Sequence, residues 1–332
     1  MQNSSLLVGL AGILFGAGPI MLAVIGETIS ERAGIINLSM NGTILLAAMG
    51  GFAVAVTTGN VILGFIAGSL IGAFVALIVA FSSITLHQSQ VAVGYVLTIL
   101  CLNLSYFLGH NYVGVPGPRI NVVPIPLLSR IPILGQIFFN QDIMTYISYV
   151  VIFLAWFWIY KTRPGLILRG IGERPAAAYA RGANVNQLRY IYAVIGGALA
   201  GLAGATFSLS VKAGWAGPLT GLDGYGWIVL AIAIFGGWNP FRAAFGVYLF
   251  AFLQWLGLIL QPFLPGIPTQ VLQVAPFPLM ILTLLLVNIS NAEWMERSLA
   301  AMPEKTRRFV MKVLRAMRAS PPGALGIPFE NE

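Results

Sequence analysis

The densest polar chemistry in this apolar 332-residue chain is Gly26-Glu27-Thr28-Ile29-Ser30-Glu31-Arg32-Ala33-Gly34, followed by Asn37, Ser39 and Asn41. Groups of this kind are costly in lipid and are kept where they face a bundle interior or water. If the stretch is helical, Glu27, Glu31 and Arg32 share a face, which permits a Glu-to-Arg pair that lowers the desolvation cost. Two uses stay open. The stretch is an interfacial charged loop, or Gly34 starts a helix whose first turns present Asn37 and Asn41 to a water-filled path at membrane depth. Other chemistry is sparse. An intramembrane enzyme needs paired acids, metal ligands or an activated nucleophile. His87 and His110 fall near span ends on opposite predicted faces with no further ligand beside them, and Cys101 is the single thiol, inside an apolar run. Asp142 and Asp223 fall at predicted external span edges and form no acid pair in sequence.

A second informative stretch is Arg174-Pro175-Ala176-Ala177-Ala178-Tyr179-Ala180-Arg181-Gly182. Pro at the first position and Gly as terminator predict a short helix. It is too short to span a membrane, and small residues on its surface suit insertion into a groove on another protein; a solvated connecting loop is the alternative. Asn184 with Gln187 three residues on resembles a capping box, which places Arg189 in the first turns of the next helix.

The elements that must position these residues follow from composition. Asp, Glu, Lys and Arg make up 8% of the chain, apolar residues 58%, and the mean hydropathy is +0.86. Soluble domains carry about 25% charged residues. The balance excludes disorder and points to an all-α polytopic membrane protein of about eight to ten spanning helices, since about 20 apolar helical residues cross a bilayer. Candidate spans are 6–25, 35–56, 61–86, 91–109, 143–160, 189–209, 225–235, 243–260 and 271–289. The seventh is short and reads as tilted, broken or re-entrant.

The net charge of +8 does not mark a nucleic-acid binder, because it is concentrated in two islands. Residues 161–189 hold six basic groups against Glu173, and residues 293–318 hold seven basic against three acidic groups. By the positive-inside rule both islands face the cytosol, and four crossings between them agree with that. The same count puts residues 110–142 and 211–224 outside and Arg242 inside. The expected organisation is a transmembrane domain over 1–290, with a segment at 161–189 on its cytoplasmic side, and a basic tail over 291–332. Within the tail, Lys305, Arg308, Lys312 and Arg315 align on one helical face, favouring an amphipathic helix on the anionic inner leaflet, whereas residues 319–332 look like a frayed end. Gly64, Gly68 and Gly72, and Gly197 and Gly201, recur at the spacing that lets transmembrane helices approach closely.

Four stretches in register carry a family resemblance. They are Gly26-Glu27 through Asn37-Leu38, Ile171-Gly172-Glu173 with Pro175, Ala177 and Ala178, the run from Gly196 to Gly204, and Phe235-Gly236-Gly237-Trp238-Asn239-Pro240. Together they resemble permease subunits of ABC importers, in the branch handling simple sugars, nucleosides and branched-chain amino acids, with a Trp-Asn-Pro turn most like the nucleoside permeases. The resemblance covers about residues 20–290. It implies a type II importer permease fold in the cell membrane and a chain that hydrolyses nothing itself. The implied partners are cytosolic ABC ATPase subunits that bind ATP and Mg, a second homologous permease or a copy of the same chain, an external substrate-binding protein and membrane lipid, with no nucleic acid. It implies that Gly172, Glu173, Pro175, Ala177, Ala178 and Gly182 belong to the coupling helix that docks in the ATPase, and that Glu27, Glu31, Asn37 and Asn41 lie along the translocation path. The nucleoside-type relatives usually carry Glu where this chain has Asn41. The expected function is import of a nucleoside-like or other small polar solute. The alternatives are a simple sugar or branched-chain amino acid carried by the same machinery, and a self-sufficient ion-coupled carrier.

Overall fold

The computed structural model describes residues 2–263 and 320–330, with the isolated helical positions 278 and 282. Its long helices are α1 (Gln2–Arg32), α2 (Met40–Thr58), α3 (Val61–Ile84) and α4 (Gln90–Leu108), then after a short α5 (Leu134–Phe138) α6 (Ile143–Lys161). Two short helices, α7 (Arg163–Glu173) and α8 (Pro175–Ala180), lead into α9 (Val185–Thr206), α10 (Tyr225–Phe235) and α11 (Pro240–Leu260). Eight stretches among the described residues are long and apolar enough to cross a membrane, within the expected range. The expected ninth span at 271–289 and the amphipathic stretch at 305–318 lie outside the described residues.

Caps set the boundaries. Asp142 opens α6 by accepting from the Thr145 amide at 2.8 Å, Asn184 opens α9 by accepting from Gln187 N at 3.2 Å, and Asn239 opens α11 by accepting from Phe241 N at 3.1 Å. Each satisfies a donor that the helix itself leaves free. The Asn184 cap stands where the sequence places it.

The helices α3 and α9 form the tightest seam. A Cβ on Gly72 would run into the carbonyl of Gly197, and one on Gly201 into the carbonyl of Gly68. These are the positions expected from the four-residue glycine spacing, and the packing shows why: only hydrogen at Cα lets the two backbones touch. Around the seam, α1 packs along α9, and α2 lies against α3, α9 and α4. The main hydrophobic core lies beside this seam, centred on residues such as Met21, Phe52, Trp215 and Phe250, all buried.

Three expectations about the first polar stretch need correction. The first helix does not stop near residue 25 but runs on through Glu27, Glu31 and Arg32, so the stretch is no surface loop. Gly34 does not start a helix; it sits at φ +95° in a turn, and α2 begins at Met40. Arg32 does not pair with Glu27 or Glu31, since its guanidinium turns away from α1 to Glu173, 3.7 Å away. Likewise residues 320–330 are not frayed. Their backbone is tied to the rest of the molecule by Ala324 N donating to Gly172 O at 2.8 Å and Gly326 N donating to Gly34 O at 3.0 Å.

Replacing Gly201 by Leu forces an isobutyl group into the Gly68 carbonyl, a clash at or beyond the about 1–3 kcal/mol typical of overpacking. The expected outcome is an earlier unfolding temperature for the detergent-purified protein, followed by fluorescence-detected size exclusion. Gly12→Leu, where a Cβ meets nothing within 4 Å, leaves it unchanged.

Candidate functional site

Three of the four sequence stretches quoted above meet at one end of the bundle, where α1 finishes and α7 and α8 lie, while the run over 196–204 sits along the middle of α9. Thr162 caps α7 by accepting from Gly165 N at 3.1 Å, and Pro164 enters its first turn, where a missing amide costs nothing. Leu168 and Ile171 are buried beneath it, and Gly172 sits so close to the Arg32 carbonyl that a Cβ would collide with it. Pro175 then opens α8, which ends at Arg181 and Gly182, the latter at φ +87°. The short helix read from the sequence is present; the eleven-residue α7 directly before it was missed, because its Gly165, Gly170 and Gly172 weaken the helical pattern.

Most of α8 is exposed. Ala176, Ala177, Tyr179 and Ala180 face outward, and Leu166, Ile167, Gly170, Arg174, Ala177 and Arg181 line a concave surface beside it. This is a shallow, small-residue face with basic edges, mounted on a buried footing.

The footing is Arg189. Its side chain is 1% exposed, and its guanidinium donates to Ala33 O at 3.1 Å, Ile327 O at 2.8 Å, and Ile171 O and Ala324 O at 3.5 Å each. One planar fork of donors thus satisfies carbonyls from the end of α1, from α7 and from the 320–330 segment. Gly34 is required here, since any Cβ would lie 2.8 Å from the guanidinium and the residue has a left-handed φ. Around this cage, Glu173 Oε2 accepts from Gly323 N at 3.2 Å, and the Phe329 ring lies 5.7 Å from Tyr179 on α8.

Arg32 ties the same end to the turn before α11. It donates to Trp238 O at 3.1 Å, to Gly237 O at 3.3 Å and to the Tyr160 hydroxyl at 3.3 Å, while pairing with Glu173. The Trp238 indole donates to Glu31, and Trp238 takes φ +55° to reach it. Glu27 accepts from Asn37 N at 3.1 Å, and Asn37 accepts from the amide and hydroxyl of Ser39. Glu27, Glu31, Asn37 and Asn41 are all buried. Among the described residues, Glu27 Oε2, Ser30 Oγ and Asn37 Nδ2 are buried without a hydrogen-bond partner. Orphaned polar atoms of this kind are uncommon in settled cores.

The structure therefore brings Glu27, Glu31 and Asn37 together around the last turns of α1 and the turn that follows it. Asn41 stands apart from them and bonds Asp223 and the backbone before α10. Sequence reasoning missed Arg189 as the hub, the 320–330 segment, and the contact of Asn41 with Asp223. The one available hint was an arginine inside an apolar helix, which is retained only with partners. Among the described residues, no group of three His, Cys, Asp or Glu could hold a metal ion.

Replacing Arg189 with Leu leaves several buried carbonyls without donors, at about 1–3 kcal/mol for each orphaned group. The amides of Ala324 and Gly326 are expected to exchange hydrogen at least about tenfold faster in Arg189→Leu than in the wild type, since about 1.4 kcal/mol corresponds to a factor of ten. Unchanged protection at those two amides would show that the 320–330 segment is held by other contacts.

Comparison with known proteins adds a separate line of findings. The family model described as branched-chain amino acid transport system / permease component matches residues 9–287. A candidate glucose ABC transporter permease protein of Haloferax volcanii is 37% identical over 72% of this chain and 73% of its own length. The nucleoside ABC transporter permease protein NupC of Lactococcus lactis is 32% identical, covering 85% of this chain and 93% of its own length. The guanosine ABC transporter permease protein NupQ of Bacillus subtilis is 31% identical, over 81% and 88% respectively. No solved structure matches the chain.

Proposed function

The chain belongs to the family of permease components of branched-chain amino acid transport systems, and from that premise we propose that it imports a nucleoside-like or other small polar solute by alternating access. It is a multi-pass membrane protein and an ABC transporter permease, a transport component rather than an enzyme. We assign the α7–α8 segment to the cytosolic side and to coupling with separate ATPase subunits, which bind ATP and Mg. A second homologous permease or a copy of this chain, an external substrate-binding protein and the surrounding lipid complete the proposed assembly.

The observation that carries the coupling role is the mounting of α8. Its exposed small-residue face is linked through Glu173 to Arg32 on α1 and through Gly172 and Ile171 to the Arg189 cage. A short helix held this way transmits a push as rigid-body motion instead of absorbing it. In this proposal Gly172 sets the close approach to α1, Glu173 carries the ion pair, Pro175 and Gly182 bound α8, and Ala177 and Ala178 form its docking side. Glu27, Glu31 and Asn37, with orphaned polar atoms around them, form the joint that rearranges as access changes, and Asn41 faces the solute path.

The nucleoside assignment rests on NupC and NupQ, each matched over more than four fifths of both chains. The glucose permease, at higher identity over a shorter match, supports a sugar as the second reading.

Substituting Ala177 by Trp, or reversing charge with Glu173→Lys, is expected to uncouple the assembled complex: solute uptake into proteoliposomes falls about tenfold or more, while the purified subunits still associate. Normal uptake per ATP in assembled Ala177→Trp complexes counts against the coupling role. In a second test, a single cysteine at Ala180 in a Cys101→Ser background reacts with a membrane-impermeant thiol reagent only after the cell interior is opened. Labelling from outside places α8 on the wrong side. Flux by the chain reconstituted without ATPase subunits would instead favour a self-sufficient carrier.

A further inference from the structure

The helix α10 is short, and only together with the residues before it, from Gly217, does it make a stretch long enough to cross. It ends in the 236–239 turn that bonds Arg32 and Glu31 at the α7–α8 end. Its eleven residues cover about 16 Å, roughly half of the about 30 Å hydrocarbon layer. Asp223, two residues before its start, lies within that stretch, not at its external edge as the sequence predicts. The Leu38 carbonyl accepts from Thr98 at 2.7 Å, eight residues or about 12 Å beyond the first residue of α4, so the turn before α2 is inside the bundle as well. Asn41, in the first turn of α2, clasps the start of α10. Its amide oxygen accepts from Gly224 N at 2.9 Å and Gly226 N at 3.2 Å, while its Nδ2 donates to Asp223 Oδ1 at 2.8 Å.

Asn41 is buried, yet Asp223 is exposed. Among the described residues, Asn41 is its one hydrogen-bond partner and no cation lies within ion-pair distance of it. An exposed, unpaired carboxylate at this depth cannot face hydrocarbon; its face opens on water or solute, directly or in the seam with the second permease. Aromatic rings stand on α4 and α10 nearby. Tyr106 of α4, three turns beyond Tyr95 on the same helix face, is half-buried with its ring 6.4 Å from that of Trp215. Trp227, one turn on from Asp223, stands toward the α7–α8 end with its ring 6.5 Å from that of Tyr95, and both are exposed.

From this arrangement we propose that Asp223, held by Asn41 and flanked by Tyr106, Trp227 and Tyr95, is a solute-binding station of the translocation path. It takes a planar or ring-shaped solute carrying two adjacent O–H or N–H donors. Asp223 accepts from the donor pair, and the rings supply flat apolar surface against which a base or sugar face stacks. In a nucleoside the donors come from the ribose diol or from the amine-bearing edge of guanine. This deepens the importer reading and rests on it.

The test is uptake by the full complex of permease, ATPase subunits and binding protein in proteoliposomes, scored per ATP hydrolysed. With tritiated guanosine, Asp223→Asn is expected to lower uptake per ATP by about tenfold or more, the scale of one charge-assisted hydrogen bond, while hydrolysis stimulated by the loaded binding protein persists. Wild-type complexes carry guanosine faster than at least one of dideoxyguanosine, which lacks the diol, and inosine, which lacks the exocyclic amine; the variant erases that difference and the analogue affected names the donor. Wild-type uptake per ATP in Asp223→Asn overturns the proposal. If that variant fails to assemble, Asp223→Glu decides, with a raised KM at unchanged maximal rate expected and an unchanged KM overturning it. A complex that takes up D-glucose and no nucleoside refutes the nucleoside assignment alone, because the vicinal hydroxyls of glucose present the same donors and the same variants scored with glucose still decide the role of Asp223.

Discussion

The guanidinium of Arg189 is the tie on which the α7–α8 end of the molecule depends. A cation buried in a helical bundle is stable only when its donors are taken up, and here they are taken up by main-chain carbonyls instead of acids. Carbonyls belong to backbone, so each bond fixes the path of a chain segment and not merely the position of a side chain. The end of α1, the C-terminal part of α7 and residues 324–327 are thereby held to the first turns of α9. The cage also explains the glycine at position 34, the only residue type that fits both the left-handed turn and the proximity of the guanidinium.

Fixed at that end, the bundle is closed along its length by glycine. The α3–α9 seam has backbone against backbone, so the two helices move as one plate. By contrast α2 and α10 are discontinuous with the segments before them. The start of α10 frees main-chain amides, two of which Asn41 takes up, and irregular backbone is tolerated inside a membrane only where protein or a water-filled path surrounds it. In the proposed alternating access, the rigid plate would transmit the motion of α8 and the interrupted helices would present the polar station.

Much of this was legible beforehand. The spans follow from apolar runs, the glycine seam from its four-residue spacing, α8 from Pro175 and Gly182, and the start of α9 from Asn184, because each depends on neighbours close in sequence. The errors share a cause too. Glu27, Glu31 and Arg32 favoured mutual pairing when only local partners could be weighed, yet their partners are Asn37, Trp238 and Glu173, two of them brought in by other helices. Residues 320–330 looked frayed because Gly, Pro and Ala there form no periodic pattern; the segment is held by backbone bonds to Gly172 and Gly34, for which side-chain pattern carries no information.

The amino-acid sequence by itself determined that the chain spans a membrane many times, that its helices pack through glycine, and that it carries a short helix among basic residues. Those properties are set by transfer free energy and by local backbone geometry. Only the tertiary structure decided which carbonyls Arg189 gathers, how Arg32 links α1 to α7 and the turn before α11, and that Asp223 is exposed beside Asn41. Such pairings join residues up to 206 positions apart, and a buried charge or amide accepts any partner that satisfies it, so composition and spacing leave the choice open until the packing makes it.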